Sequence, residues 1–389
     1  MKINEINLLS AKITSVIGST IFNTIISLYI LSVYGSNSIL GITLSIGGIA
    51  SVVSSLVGGY FSEGKEKTKS LKIVDLFSMI CCILMIPLVK YENIWFILSL
   101  IILLNINNSF SSPIFKSLIP EISTKDRLVI FNTRLSSINE FNKVLTPILS
   151  TYLYSNELID ITSVLLINAL SYLCSFIFIH NIKSKKTNFK RKNSFFKSYK
   201  ENIKYIQRDK LISYLLYTGF FSNFFLTGFN LILPIYSKKV IEDTSMYGLF
   251  LSFESLGLLI GVLSSNFIKL DEQLVSERFM IFVSGIFLLL PAFFYSSLSM
   301  LICCFILNFS LGRYNIAFQN YIQLNVEQKY LGQVFAIIFT ISSMATPLGF
   351  LIFGIIAEYT ITKVFYIISF GLISINAIWI ILILKKNKY

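Results

Sequence analysis

Residues 41–61, GITLSIGGIASVVSSLVGGYF, align without gaps with residues 248–268, GLFLSFESLGLLIGVLSSNFI. Gly, Leu and Ser recur at the first, fourth and fifth positions of both segments. Each segment is mostly apolar and has about the 20 residues that a helix needs to cross a bilayer. The alignment therefore indicates one membrane-spanning helix that occurs twice in the chain, and it predicts an internal duplication.

Two further pairs of residues support the duplication. Pro147 in LTPIL corresponds to Pro347 in ATPLG, and Asn108 corresponds to Asn308. The separations are nearly constant, since 347 − 147 = 200, 308 − 108 = 200 and 248 − 41 = 207. Two halves with the same orientation are typical of the parallel repeats of secondary transporters, whose substrate path lies between the halves near the bilayer midplane.

The composition of the 389-residue chain indicates that lipid is its main solvent. Hydrophobic residues make up 54% and charged residues only 14%, whereas a soluble protein has about 25% charged residues. There is a single histidine, and the five cysteines, which we interpret as small packing residues, show no spacing typical of a metal or disulfide framework: Cys81, Cys82, Cys174, Cys303 and Cys304. We therefore expect no enzyme activity, no metal and no cofactor.

Apolar runs of spanning length predict an all-α membrane protein with twelve transmembrane helices. They fall at residues 8–33, 38–61, 72–90, 94–115, 128–152, 160–181, 211–236, 246–268, 278–296, 298–322, 331–357 and 363–384. Six spans precede a polar gap and six follow it. The sequence thus predicts two pseudo-symmetric six-helix bundles, at residues 1–181 and 211–389, joined by a linker at 182–210.

The distribution of Lys and Arg predicts the orientation of the chain. Basic residues crowd the loops on one side, the linker and the C-terminal tail, whereas the other side carries only Lys90, Lys238, Lys239 and Lys363. Because basic loops stay in the cytoplasm, both termini are predicted to be cytoplasmic, in a multi-pass protein of the cell membrane. This asymmetry also explains the net charge of +13 without a nucleic-acid partner.

The linker at 182–210 contains eleven basic residues. Aromatic and aliphatic residues recur among them at helical spacing: Phe195, Phe196, Tyr199, Ile203 and Ile206. This pattern is typical of an amphipathic helix on anionic lipid. The linker either anchors the topology and joins the two bundles, or docks a regulatory partner.

Residues 59–66, GYFSEGKE, match most of a phosphate-binding loop, with Gly59, Gly64 and Lys65 at the required spacing. Glu66 stands where such a loop needs Ser or Thr, and its charge would repel phosphate. The segment also follows an apolar helix, whereas a phosphate-binding loop follows a strand. A nucleotide site is therefore excluded here.

Four motifs in order carry a resemblance to a known family: YGSNSILG at 34–41, GYFSEGKEKTKSLKIVD at 59–75, FSSPIFKSLIPEI at 110–122 and YLGQVFAIIFTISSMATPLGFLIFG at 330–354. With them the chain resembles the major facilitator superfamily, in its macrolide-efflux and enterobactin-exporter branch of drug:proton antiporters. The resemblance implies proton-driven efflux of a small amphipathic compound, such as a macrolide-like drug, a peptide or a siderophore. We expect a monomer whose partners are this substrate and the lipid bilayer.

The same resemblance implies a cytoplasmic gating loop between the second and third spans. In the family this loop bridges the two halves and stabilises one end state. Its positions in this chain are Gly59, Glu63, Lys67, Lys69 and Asp75.

Charged residues inside the predicted spans are candidate functional groups, because they are costly in lipid. In the fifth span Ser136, Glu140, Lys143 and Pro147 are spaced to form one stripe of a helix. Glu140 and Lys143 are predicted to form either a neutral structural pair or a pair that lines the cavity and responds to substrate or protons.

The second half offers further candidates. Glu254 lies in the eighth span, where it either couples transport to protons or makes a structural hydrogen bond, and Gly257 and Gly261 on its face are expected to pack against another helix. Arg313, deep in the tenth span, needs either a carboxylate from another helix or an anionic substrate group.

The fourth span is unusually polar. Its amides, Asn105, Asn107 and Asn108, either line the transport path or hold helices together.

Two other functions remain open from the sequence. A solute importer of the same architecture would carry substrate inward. A membrane sensor or immunity protein would bind a ligand without transporting it.

Overall fold

In the computed structural model the described residues are 3–61, 66–123, 125–182, 210–264, 273–326 and 331–386. Glu63 and nearly the whole of the predicted linker, residues 183–209, lie outside these ranges. The described residues form thirteen helices and no strand.

Each predicted span corresponds to a helix. In the first half the helices are α1 (Ile3–Tyr34), α2 (Asn37–Phe61), α3 (Lys67–Val89), α4 (Ile94–Ile122), α5 (Lys125–Ser155) and α6 (Ile161–His180). In the second half they are α7 (Lys210–Lys239), α8 (Ser245–Ser264), α9 (Gln273–Phe287), the short α10 (Leu290–Phe293), α11 (Ser297–Asn325), α12 (Leu331–Tyr359) and α13 (Ile361–Lys386).

Most of these helices are suited to lipid. Eleven helical segments within the described residues are long and apolar enough to cross a membrane, with α9 and α10 contributing to one of them. A helix satisfies all its backbone donors and acceptors internally, which is why apolar runs of this length adopt it in a bilayer. The predicted all-α membrane fold is confirmed; the orientation of the termini stays a prediction.

Helix α5 is the exception among the long helices. It has 31 residues, which extend for about 46 Å at 1.5 Å per residue, yet it is not one of the eleven apolar candidates. Its polar side chains cannot all face lipid without a large cost. They must therefore contact other helices or water, which makes α5 a place to look for function.

The ninth predicted span differs from its helix. The apolar run predicts one helix over 278–296, whereas α9 begins at Gln273 and the helix is interrupted before α10. Pro291 near the start of α10 has no N–H to donate and cannot continue the ladder of the preceding turn. The earlier start brings Glu277, which precedes the predicted span, into α9, and it moves Arg278 from the first residue of the span to the second turn of the helix.

Short turns and side-chain caps end the helices. Gly35, between α1 and α2, has φ +64°, a left-handed conformation that glycine adopts without steric cost. Asp160 caps α6 by accepting hydrogen bonds from the backbone N–H and the hydroxyl of Ser163, at 2.8 and 2.6 Å. Such a bond satisfies a donor that the first turn of a helix leaves unpaired.

The chain divides into two compact units. The first consists of Met1–Gly35 and Ile46–Arg191, and the second of Ser36–Ser45 and Lys192–Tyr389. Within the first unit α1 packs on α5 and α6, and α3 packs on α4 and α6. Within the second unit α8 packs on α11, α7 on α12 and α13, and α9 on α11 and α13.

Four of the five cysteines are buried and free, as packing residues should be: Cys81, Cys82, Cys303 and Cys304. Cys174 is exposed on α6, so its interpretation as a packing residue was wrong. An apolar run contains residues on every face of its helix, and composition alone does not say which face is covered.

Candidate functional site

The contact between α8 and α11 in the second unit is the closest helix crossing among the candidate residues. A Cβ atom on Gly257 would lie 2.4 Å from the carbonyl oxygen of Phe305, and one on Gly261 would lie 2.2 Å from that of Phe309. Gly312 of α11 approaches α8 in the same way. Small residues permit this approach because no side chain separates the two backbones.

Glu254 lies on α8 beside this crossing, at the tenth of its 20 residues. The Nδ2 of Asn308 on α11 donates to Oε1 of Glu254 at 3.1 Å, and also to the carbonyl oxygen of Cys304. The close backbones thus hold a carboxyl and an amide in hydrogen-bond contact at the middle of a spanning helix. An amide can serve both forms of the acid, since its NH₂ donates to a carboxylate and its oxygen accepts from a carboxylic acid.

Arg313 on α11 forms a bidentate ion pair with Glu277 on α9. Its Nε and Nη2 donate to the two carboxylate oxygens, each at 2.8 Å, and Nη1 donates to the hydroxyl of Ser264 at 3.1 Å. Glu277 is fully buried and Arg313 is 9% exposed. Of the two partners considered for Arg313, the structure therefore provides a carboxylate from another helix.

In the first unit, Glu140 and Lys143 of α5 are in contact. The Nζ of Lys143 lies 2.7 Å from Oε1 of Glu140. The other oxygen of Glu140 is buried and has no hydrogen-bond partner, and the same is true of Oδ1 of the adjacent Asn139. The pair is partly exposed, with 50% of the lysine side chain and 26% of the glutamate side chain accessible, so it is not sealed in the core.

Further polar residues of α5 are bonded to α1 and to one another. The Nδ2 of Asn142 donates to the hydroxyl of Thr20 on α1 at 3.1 Å, and the hydroxyl of Thr146 donates to Oδ1 of Asn142. These bonds satisfy part of the polar surface of α5 inside the first unit. Glu140 and Lys143 bond to each other within α5, and the second carboxylate oxygen of Glu140 has no hydrogen-bond partner.

Each of the three α4 amides contacts a different helix. The Oδ1 of Asn105 accepts from Ser51 on α2 at 3.1 Å. Nδ2 of Asn107 donates to Ser78 on α3 at 2.8 Å, and Oδ1 of Asn108 accepts from Tyr172 on α6 at 3.4 Å. These contacts hold α4 to its neighbours.

The described residues of the predicted gating loop make contacts inside the first unit. Lys67 forms an ion pair with Glu121 at 2.7 Å, with both side chains nearly buried, and Asp75 accepts a 2.7 Å hydrogen bond from Ser175 on α6. Lys69 forms an exposed pair with Glu66 at 3.1 Å, and Gly59 lies in the last turn of α2. The gating role of these residues stays a prediction.

The two repeat-related prolines both lie inside long helices, Pro147 in α5 and Pro347 in α12. The carbonyl oxygen of Pro147 accepts from the hydroxyls of Ser150 and Thr151, at 3.1 and 2.8 Å. Both are bonds from a side-chain hydroxyl back to the carbonyl of the preceding turn, a pattern that often bends a helix.

Arg278, which the sequence analysis did not single out, is fully buried in the second unit. It donates to Asn376 and Thr218, at 3.2 and 2.9 Å, and to the hydroxyl of Tyr314. An available signal was the charged pair at 277–278 on the edge of an apolar run. Charges at such an edge are usually solvated, so burial could not be anticipated from spacing.

No cluster of three or more His, Cys, Asp or Glu side chains suited to a metal ion occurs among the described residues. The interior polar groups described above are carboxyls, amides, hydroxyls and guanidinium groups. Such groups can bind protons and hydrogen-bonding ligands, and the described sites contain no constellation of histidine, cysteine and base that would support nucleophilic catalysis.

Comparison with known proteins identifies a family. The family model described as Major Facilitator Superfamily matches residues 8–350. Macrolide efflux protein A of Streptococcus pyogenes is 21% identical over 373 residues, which is 94% of this chain and 92% of that protein. Macrolide efflux protein A of Enterococcus faecalis is 20% identical over 263 residues, covering 66% of this chain and 81% of that protein.

Solved structures show the same fold. A bacterial homologue of the iron transporter ferroportin, in an inward-facing state, matches with a TM-score of 0.75 and 16% identity, over 97% of this chain and 98% of that chain. A mutant of the nucleoside transporter NupG matches with a TM-score of 0.81 and 11% identity, over 97% and 99% of the two chains. At these identities the likeness establishes the architecture alone.

Proposed function

Because this chain belongs to the Major Facilitator Superfamily, and is thus a multi-pass membrane transporter and not an enzyme, we propose that it exports a small amphipathic compound in exchange for protons. The compound is of the macrolide-like drug, peptide or siderophore class. Transport proceeds by alternating access across the cell membrane, around a site near the bilayer midplane. The proton gradient supplies the driving force, and no cofactor takes part.

One observation supports the proposed direction of transport and the proposed substrate class. The curated relative whose name states macrolide efflux aligns with 94% of this chain, so the likeness is not confined to one motif or one half. A relative at 21% identity supports a common activity more strongly than a common substrate. The proposal therefore names a class of amphipathic compounds and not a single drug.

Proton coupling is proposed to depend on Glu254. A carboxyl at the middle of a membrane helix is costly when ionised, so proton binding and release there can be linked to movement of the surrounding helices. Asn308 bonds to Glu254 and can stabilise both protonation states by exchanging donor for acceptor. The close crossing of α8 and α11 transmits a small change at this carboxyl to both backbones.

Glu140 and Lys143 are proposed to respond to substrate in the first unit. Glu140 keeps one carboxylate oxygen without a donor, and its other oxygen is shared with a partly exposed lysine. A substrate N–H or a proton can satisfy the free oxygen and weaken the bond to Lys143. The loop residues Lys67 and Asp75 are proposed to gate the cytoplasmic side.

Growth and accumulation assays in cells test this proposal. Cells that express the chain should tolerate a higher concentration of at least one macrolide-like compound than cells without it. They should accumulate less of a fluorescent amphipathic drug, and a protonophore should remove the difference. Increased accumulation would identify an importer, and binding without any flux would identify a sensor; either result would overturn the proposal.

A further inference from the structure

Arg278 is a charged side chain in the interior of the second unit. Its side chain has no exposed surface, and its hydrogen-bond partners are neutral oxygens of Thr218, Tyr314 and Asn376. Among the described residues no carboxylate forms an ion pair with it. Its Nε also has no hydrogen-bond partner.

Glu277, the carboxylate next to Arg278 in the sequence, is already paired with Arg313. Both of its oxygens accept from Arg313, each at 2.8 Å. Glu277 and Arg313 therefore neutralise each other, and neither of them balances the charge of Arg278. A buried guanidinium in a membrane protein is costly unless its charge is compensated, and among the described residues no carboxylate compensates the charge of Arg278.

A second unsatisfied donor lies beside Arg278. The indole Nε1 of Trp379 is buried and has no hydrogen-bond partner, and the guanidinium carbon of Arg278 lies 5.2 Å from the centre of the Trp379 ring. The guanidinium carbon also lies 4.1 Å from the centre of the Tyr314 ring. The two unsatisfied groups are thus both N–H donors, one of them on a cation that no described carboxylate neutralises.

We propose that this region, defined by Thr218, Arg278, Tyr314, Asn376 and Trp379, binds one small monovalent anion of the chloride class. One negative charge balances the single positive charge of Arg278. The anion accepts hydrogen bonds from Nε of Arg278 and Nε1 of Trp379. The complete burial of Arg278 favours a small inorganic ion over an organic anion.

The position of the region is compatible with entry from water. Arg278 is the third residue of the span Ser276–Phe293, and Trp379 is the third from the end of the span Ile361–Ile381. These two helices run in opposite directions in a multi-pass chain, so both residues lie near the same membrane boundary. The ion does not have to reach the centre of the bilayer, and it is separate from the Glu254 site proposed for proton coupling.

Thermal unfolding of the purified chain in lipid nanodiscs tests the proposal. Sodium gluconate is replaced by sodium chloride or sodium bromide at constant ionic strength. We expect a saturable rise of several degrees in the unfolding temperature. The Arg278→Gln variant should lose this response, and in gluconate it should be at least as stable as the parent, because the uncompensated charge is gone.

A second variant and a matched control keep the test independent of the folding of Arg278→Gln. Trp379→Phe keeps an aromatic ring, although a smaller one, and removes the Nε1 donor, so it should weaken chloride binding roughly tenfold. Lys363→Gln removes one positive charge at an exposed site and should leave the halide response unchanged. Binding of radioactive chloride to the parent chain provides a direct measurement.

Three results would overturn the proposal. The first is an equal unfolding temperature in gluconate and halide, together with no bound chloride. The second is stabilisation by phosphate or by short-chain anionic lipid but not by halide, which would identify a phosphate-bearing ligand. The third is an ultraviolet absorbance band of ionised tyrosine in the parent chain at neutral pH that is absent from Tyr314→Phe. The negative charge that balances Arg278 would then come from the Tyr314 tyrosinate and not from a bound anion.

Discussion

Glu254 and Asn308 form the contact on which the proposed proton coupling depends. In Glu254→Gln the amide oxygen still accepts from Asn308, so the fold should persist while the titratable proton is lost. We expect this variant to bind substrate and exchange it down its gradient, but to lose stimulation by a pH gradient. Substrate efflux from proteoliposomes, with and without an imposed pH difference, measures both activities.

The matched control for this variant is Glu242→Gln, which changes a glutamate in the turn between α7 and α8. It should retain the full response to the pH gradient. If Glu254→Gln responds to the gradient as the parent chain does, protons are coupled elsewhere, and Glu140→Gln becomes the next variant to measure.

The ion pair between Glu277 and Arg313 should be costly to break from one side. Glu277→Ala leaves a buried guanidinium without a partner, and we expect it to lower the free energy of unfolding by about 3–5 kcal/mol. Replacing both partners by apolar residues, as in Glu277→Leu with Arg313→Met, should recover most of that loss. Chemical unfolding in detergent compares the variants, and equal stability of Glu277→Ala and the parent would contradict the assignment.

Single residues were predictable only where one helix contains the whole pattern. The contact of Glu140 with Lys143 follows from a spacing of three residues on a helix, and the depth of Arg313 in its span indicates that it needs a partner. Its partner, Glu277, lies 36 residues earlier on another helix. No local periodicity connects the two, so only the packing of α9 against α11 reveals the pair.

Gly261 tests the crossing of α8 and α11. A methyl group there would lie 2.2 Å from the backbone oxygen of Phe309, and a backbone cannot move aside as a flexible side chain can. We expect Gly261→Ala to destabilise the chain by about 1–3 kcal/mol. The control is Leu259→Ala, on the exposed face of α8. If both substitutions shift the unfolding temperature by the same amount, the close crossing does not form.

The cap of α6 predicts a pH dependence. Hydrogen bonds from the hydroxyl and then the amide of Ser163 hold the pKa of Asp160 below its ordinary value. A depressed carboxyl pKa contributes stability above the unfolded pKa, about 3.9, and this contribution is lost as the pH falls through the lower folded value.

Asp160→Asn keeps a capping oxygen but does not titrate. We therefore expect the stability advantage of the parent chain over Asp160→Asn, measured by thermal unfolding, to decrease as the pH is lowered from neutrality through the acid range. An advantage that is constant with pH would contradict the role of the charged cap.

Helices were predictable because the bilayer leaves the backbone few alternatives. An apolar run of about 20 residues must be helical in lipid to satisfy its own donors and acceptors, and every predicted span has its helix. The break between α9 and α10 was not predicted. The apolar run continues through Pro291, whose missing N–H interrupts the backbone hydrogen bonds there. Which face of each helix is buried was also not predictable, because burial depends on which other helices pack against that face. The exposed Cys174 is an example.

The apolar spans and the four motifs predicted the fold class and the family from the sequence alone, whereas the orientation predicted from the charge asymmetry stays a prediction. The internal duplication of 41–61 in 248–268 stays a prediction, whereas the match over residues 8–350 establishes the family. The substrate was not predictable, because a cavity recognises shape and a few polar groups contributed by several helices. Proton coupling was not predictable either. It depends on how proton binding is linked to conformational change, and no single motif in this chain encodes that link.

Transport in proteoliposomes tests the central claim most directly. Vesicles that contain the purified chain are loaded with buffer of one pH and diluted into buffer of another, with a radiolabelled macrolide on both sides, and the substrate and a pH-sensitive dye are followed together. We predict uphill movement of substrate in exchange for protons moving the opposite way, which a protonophore abolishes. Substrate that only equilibrates across the membrane, with no accompanying proton movement, would contradict proton-driven export.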